Sequence, residues 1–178
     1  MDLEELSTRL EIQQVLYRYC RGVDRRDPAL IASVYHDDAV DQHGAWEGLG
    51  RPFAEHLVPK MDQAAPVGQH HVTNALIEVR GGAADVESYF IALHPEAEGG
   101  HALVCGRYLD LFERRAGVWR IARRRVVIDL SRSLGAAEPW PAAGAFPVGG
   151  RREADPSAAL FGSQAGALAK PTAAPASA

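Results

Sequence analysis

Two cysteines in 178 residues, Cys20 and Cys105, form no Cys-x-x-Cys pair. The zinc and redox motifs built on that spacing are therefore out, and two buried free thiols are the expectation. No apolar run approaches the roughly 18 residues of a membrane span. The opening Met1-Asp2-Leu3-Glu4-Glu5 has the wrong sign for a secretory leader, so a cytoplasmic protein without membrane attachment is expected. The net charge of −4 provides no general attraction to nucleic acid. Arg123-Arg124-Arg125 is a local basic run, but strand alternation sends its members to opposite faces. Also missing are a Gly-x-Ser-x-Gly elbow, a phosphate loop and the dinucleotide glycine pattern, which leaves acyl transfer and nucleotide chemistry without a foothold.

What is present is an ordinary globular composition, 47% hydrophobic and 24% charged, in a chain long enough for one domain with a sizeable core. Leu3, Leu6, Leu10, Val15, Leu16 and Tyr19 recur at three-to-four spacing and predict an amphipathic helix from Leu3 to about Arg21, loosened at Gly22. Asp27-Pro28 places an N-cap residue before proline and opens a short helix through Leu30, Ile31, Val34 and Tyr35. His36-Asp37-Asp38 ends it, residues 39–42 read as a short strand, and residues 51–63 read as a third helix interrupted near Pro59. The period then changes. Residues 69–79, 84–93, 102–113 and 118–130 predict strands separated by glycine-bearing turns. Helices followed by long strands indicate an α+β fold, a cone-shaped curved sheet of antiparallel or mixed strands (an α+β barrel) with the N-terminal helices on its concave face. Residues 1–131 form this domain. Residues 132–178 are rich in Ala, Pro and Gly and read as an extension, partly docked between Trp140 and Phe161 and mobile beyond Gly166.

Asp24 falls at the junction of the first two helices, and His70 near the start of a strand. A carboxylate that accepts one imidazole N–H fixes the tautomer and leaves the other ring nitrogen to take a substrate proton. Strand alternation groups His70 with Val72, Asn74 and Leu76, and sets His71 on the opposite face. On the last strand Arg124 shares a face with Ala122, Val126 and Ile128, a setting in which a buried guanidinium needs an anionic partner or ligand. Tyr19 lies near the end of the first helix, while Phe90 and His94 share a face with Ser88. Each residue also has a structural reading. Asp24 fits an ion pair with Arg21 or Arg26, or a helix cap; His70 a hydrogen-bonded sheet histidine; Arg124 a structural ion pair; Tyr19 packing; His94 a solvated strand end. The histidines supply no i,i+4 pair bracketing a carboxylate, so no metal is expected, and the chemistry needs no cofactor.

In Tyr17-Arg18-Tyr19-Cys20 leading to Asp24 and Asp27, in Tyr35-His36-Asp37-Asp38-Ala39, in His70 with Asn74, in Gly106-Arg107-Tyr108-Leu109-Asp110 and in Arg114 to Ile121 followed by Arg124, the chain resembles the SnoaL-like branch of the nuclear-transport-factor-2-like superfamily. Within it, scytalone dehydratase, hexachlorocyclohexane dehydrochlorinase and bile-acid dehydratase use an Asp-His dyad, and matching residue by residue places the Asp at Asp24 and the His at His70. The dehydrochlorinase arginine falls on Arg124 and the bile-acid enzyme's tyrosine on Tyr19. The resemblance implies a cofactor-independent lyase of hydrophobic ring compounds, commonly a trimer, so a homo-oligomer (trimer or dimer) is expected. The catalytic residues would be Asp24, His70, Arg124 and Tyr19, and the substrate-binding ones Asn74, Phe90, His94 and Ile128. Scytalone dehydratase's second histidine falls on Phe90 and the tyrosine before its aspartate on Val23, so its water-holding polar network is not reproduced. Loss of water, halide or formaldehyde stays open, as do isomerisation, cyclisation and a non-catalytic binding role.

Overall fold

In the computed structural model, residues 1–62, 68–96, 99–136 and 141–161 are described. Helix α1 (Leu3–Asp24) starts at Asp2, whose side chain accepts the Glu5 N–H at 2.8 Å, with Glu4 and Glu5 in the positive first turn. It runs past Gly22 to Asp24 instead of loosening there. A Cβ on Gly22 would lie 2.9 Å from Ile31 Cγ1, so glycine serves the close approach of α2 (Pro28–Ser33). Its buried stripe is Ile12, Val15, Leu16, Tyr19, Cys20 and Val23. Leu3, Leu6 and Leu10, expected within that stripe, are exposed and lie with Tyr17 on a second apolar face.

Strand β1 (Tyr35–His43) begins earlier than expected and takes in His36, Asp37 and Asp38. A two-residue turn with Gly44 at φ +64° leads to β2 (Trp46–Leu49), a strand the sequence reading missed. Helix α3 (Gly50–Met61) continues through Pro59 without interruption. Pro59 sits within the final turn, where little helix remains to disrupt. The expected end of this helix at Gln63 lies outside the described residues. The long strands β3 (Gln69–Arg80), β4 (Ala83–Pro95), β5 (His101–Arg115) and β6 (Val118–Ser133) follow as one antiparallel meander.

The six strands make one mixed sheet in the order β2-β1-β6-β5-β4-β3, in which only β1 and β6 run parallel. The sheet is open, with β2 and β3 at its edges. Its inner face carries the core, and α1 lies along β3 with a smaller contact on β6. Bulges in the ladders set which residues face inward. One in β3 between Val72 and Ala75 places His70, Val72, Ala75 and Ile77 on the inner side. One in β6 leaves Ala122 unpaired between Ile121 and Arg123, so Trp119 and Ile121 share the inner face with Arg124 instead of opposing it. Arg123 and Arg125 are exposed on the other side, as alternation requires.

The described part of the C-terminal extension, 141–161, docks on the α1–α2 junction and not on the sheet. Arg152 donates its backbone N–H to the Arg25 carbonyl at 2.9 Å and its Nε to the Arg26 carbonyl at 2.8 Å. Asp155 pairs with Arg25 at 3.2 Å, and Arg21 donates to the Ser157 hydroxyl at 3.0 Å beneath the Phe161 ring. Trp140 and the segment from Gly166 to Ala178 lie outside the described residues. No described helix is long and apolar enough to cross a membrane.

Candidate functional site

Asp24 closes α1 at the point where the helix meets β3, so a carboxylate at the end of a rigid helix faces the first residues of an edge strand. His70 Nδ1 lies 2.7 Å from Asp24 Oδ1, and the His70 backbone N–H donates to Asp24 Oδ2 at 3.2 Å. One carboxylate therefore grips both ring and backbone of one histidine. A carboxylate can only accept, so the bond puts hydrogen on Nδ1 and leaves the Nε2 lone pair free. The two side chains are 11% and 7% exposed. Both line a cleft of about 320 Å³ with Tyr17, Cys20, Arg21 and Val72. His94 meets His70 edge-on, ring centroids 5.0 Å apart. Its pKa is pushed down to about 4, first by burial and then by the neighbouring His70, so His94 is neutral. Cys20 is pushed up to about 12 by burial and by the Asp24 charge. It stays a thiol beside the dyad and is no nucleophile.

Deeper in the core, Arg124 donates Nε to Asp110 Oδ1 at 2.8 Å and Nη2 to Oδ2 at 2.7 Å, with both side chains fully buried. Its guanidinium carbon lies 4.2 Å from the ring centres of both Tyr19 and Tyr108. Burial works against the charge of Arg124, but its partners together, Asp110 foremost, outweigh it and the guanidinium is held well above its ordinary value. Nη1 is buried without a hydrogen bond. Tyr19 is raised by burial and stays a neutral phenol. Phe90 stacks on Tyr108 at 4.5 Å and is 4% exposed, so it props the tyrosine from within the core.

The structure thus brings Asp24, His70 and His94 together, whereas Arg124 and Tyr19 meet each other, and Phe90 meets Tyr108, within the buried core. Two expected residues stand elsewhere. The β3 bulge breaks the alternation that grouped Asn74 with His70, and Asn74 is exposed. Ile128 pairs with Gly106 on the inner side but is 54% exposed. Asp110, the partner the sequence reading lacked for Arg124, is the chief omission. It lies fourteen residues upstream of Arg124, a separation that only the β5–β6 register turns into contact.

A model of the SnoaL-like domain matches residues 4–125. This chain belongs to the SnoaL-like domain family. The match spans the helix and strand that line the cleft, the dyad and Arg124. An uncharacterized protein of Mycobacterium tuberculosis, Rv2910c, is 33% identical over 130 residues, covering 70% of this chain and 87% of its own. Among solved structures, LinA superposes with a TM-score of 0.71 at 26% identity, covering 79% of this chain and 98% of that one. The hexachlorocyclohexane dehydrochlorinase LinA-type3 of Novosphingobium barchaimii LL02 gives 0.70 at 25%, covering 79% and 99%. A protein of unknown function from Mycobacterium tuberculosis, Rv3472, gives 0.63 at 28%, covering 71% and 74%.

Proposed function

We propose that this SnoaL-like protein is a cofactor-independent lyase that removes a proton from carbon in a hydrophobic ring compound and expels a leaving group. The observation that carries this is the 2.7 Å contact between Asp24 and His70 beside a cleft that both line. His70 Nε2 takes the proton, and Asp24 stabilises the imidazolium that forms. The neutral phenol of Tyr19, set on the Arg124 guanidinium, stabilises negative charge on an enolate or on the departing group. Neutral His94 offers a hydrogen-bonding edge to the substrate. Likeness to a structure named as a hexachlorocyclohexane dehydrochlorinase supports elimination as the reaction. An isomerase would use the same base, and product mass separates the two: unchanged for isomerisation, reduced for elimination.

We place the protein in the cytoplasm and read it as a homo-oligomer, a trimer or dimer. Apolar residues on the outer face of the sheet, Tyr89 at 42% and Ile91 at 40% exposure, support self-association. Analytical ultracentrifugation of the wild type beside Tyr89→Glu/Ile91→Glu tests this, with a shift to the monomer expected.

The catalytic reading is tested by a mass-resolved screen of hydroxylated and halogenated aromatic and steroid compounds. His70→Ala and Asp24→Asn each lower turnover by about 10²- to 10⁴-fold, the usual worth of general-base catalysis, and leave the circular dichroism spectrum unchanged. Equal rates in wild type and His70→Ala defeat the assignment.

A further inference from the structure

The cleft beside the dyad carries a charge that proton transfer does not use. Arg21 and Asp24 belong to the last turn of α1 and Arg25 caps it, and all three line the hollow with His70. Asp24, the carboxylate that such a turn would lend to either arginine, is taken by the ring and backbone of His70 instead. Arg25 finds its counter-charge in Asp155 of the C-terminal segment, 3.2 Å away. Arg21 has no carboxylate partner among the described residues. Its Nη1 donates to the Ser157 hydroxyl at 3.0 Å, and its Cζ lies 5.0 Å from the Phe161 ring centre.

Ser157 is fixed in turn, because Asp155 accepts its backbone N–H at 3.0 Å. The tail therefore holds the Arg21 guanidinium with a neutral acceptor and an aromatic face, neither of which cancels its charge. A second hollow of about 270 Å³, lined by Leu30 of α2 and by Arg152 and Ala158 of the tail, shares Arg21 and Arg25 with the dyad cleft. A half-buried cation, preorganised beside the base and left without a counter-ion, suits an anion brought in by a ligand.

We propose that the dyad cleft takes a ring compound bearing a carboxylate, that Arg21 is the residue that selects it, and that Ser157 is the positioning residue of Arg21. This rests on the reading of His70 as base and narrows the hydrophobic ring compound of that reading to a ring acid. Residues three apart on a helix have Cβ atoms about 5–6 Å apart. The carboxylate on Arg21 therefore sits about one ring width from the carbon that gives its proton to His70, which is held by Asp24. The carboxylate takes no part in the bond changes; it fixes which end of the substrate meets the base.

Binding and proton removal are tested apart. 2-Naphthoate and its methyl ester share a ring system and differ in charge. By isothermal titration the acid is expected to bind the wild type about tenfold more tightly than the ester. In Arg21→Gln, and in Arg21→Met as a second variant, that preference falls to within about twofold. Arg21→Lys keeps part of it, and Ser157→Ala lowers it by a smaller factor than Arg21→Gln. Nitrobenzisoxazole opens on proton removal alone, and 2-naphthoate is expected to inhibit its opening competitively. No preference in the wild type, a preference that survives in Arg21→Gln and Arg21→Met, an equal loss in Arg21→Lys, or naphthoate that binds without inhibiting overturns the proposal. A wild type inert to nitrobenzisoxazole, or one whose rate survives His70→Ala, overturns the base reading, and with it the claim that the bound anion is a substrate, whatever the titrations show.

Discussion

Arg124 shows how one charge is tolerated where water is absent. The bidentate hold of Asp110 and the faces of Tyr19 and Tyr108 replace its hydration, so removing either ion strands the other. Arg124→Met and Asp110→Asn are each expected to cost about 3–5 kcal/mol in urea unfolding. The double variant Arg124→Met/Asp110→Leu should lose much less than the sum, because no unpaired charge is left. At this scale the family resemblance paired Asp24, read at a helix junction, with His70, read near a strand start, and both were legible in the sequence. Asp110 was not, because nothing local marks a carboxylate fourteen residues away as a partner.

Among the elements, the short helix α2 depends on its cap. Asp27 accepts the Leu30 N–H at 2.9 Å, and Asp27→Ala should lower thermal stability by about 1 kcal/mol. Strand β5 depends on Gly106, where a Cβ would meet the Val127 carbonyl oxygen at 2.2 Å and Phe90 at 2.8 Å. Gly106→Ala is expected to destabilise by about 1–3 kcal/mol, read as a lower melting temperature. The four long strands and three helices were visible from period and punctuation. The bulges were not. A one-residue insertion in a ladder leaves the local alternation intact on either side, yet it turned Asn74 outward and brought Trp119 and Ile121 round to the face of Arg124.

Across the whole molecule, the C-terminal segment ties the α1–α2 junction from outside, directly behind the dyad. Burial works against the Asp155 charge, but hydrogen bonds from Ser157 and the Gly150 N–H, with Arg25 nearby, outweigh it and hold the pKa down to about 2. A carboxyl lowered on folding stabilises the docked segment above its ordinary value near 4, and that support is lost as pH falls through about 2. Protection of the Gly150 and Ser157 amides from hydrogen exchange, relative to their intrinsic rates at each pH, should therefore be high at pH 5 and lower at pH 2. Asp155→Asn should show the lower protection already at pH 5.

Composition, period and capping residues by themselves determined an α+β chain with helices first and long strands after them, and the resemblance singled out Asp24 and His70 within it. Helices and strands are local matters, settled by which residues suit a helix, a pleat or a cap. Only the tertiary structure decided that Arg124 is sealed against Asp110, that Asn74 faces out and that the tail lies across the helix junction. Each of those depends on register, bulge and curvature, which are set where distant strands bury their faces together.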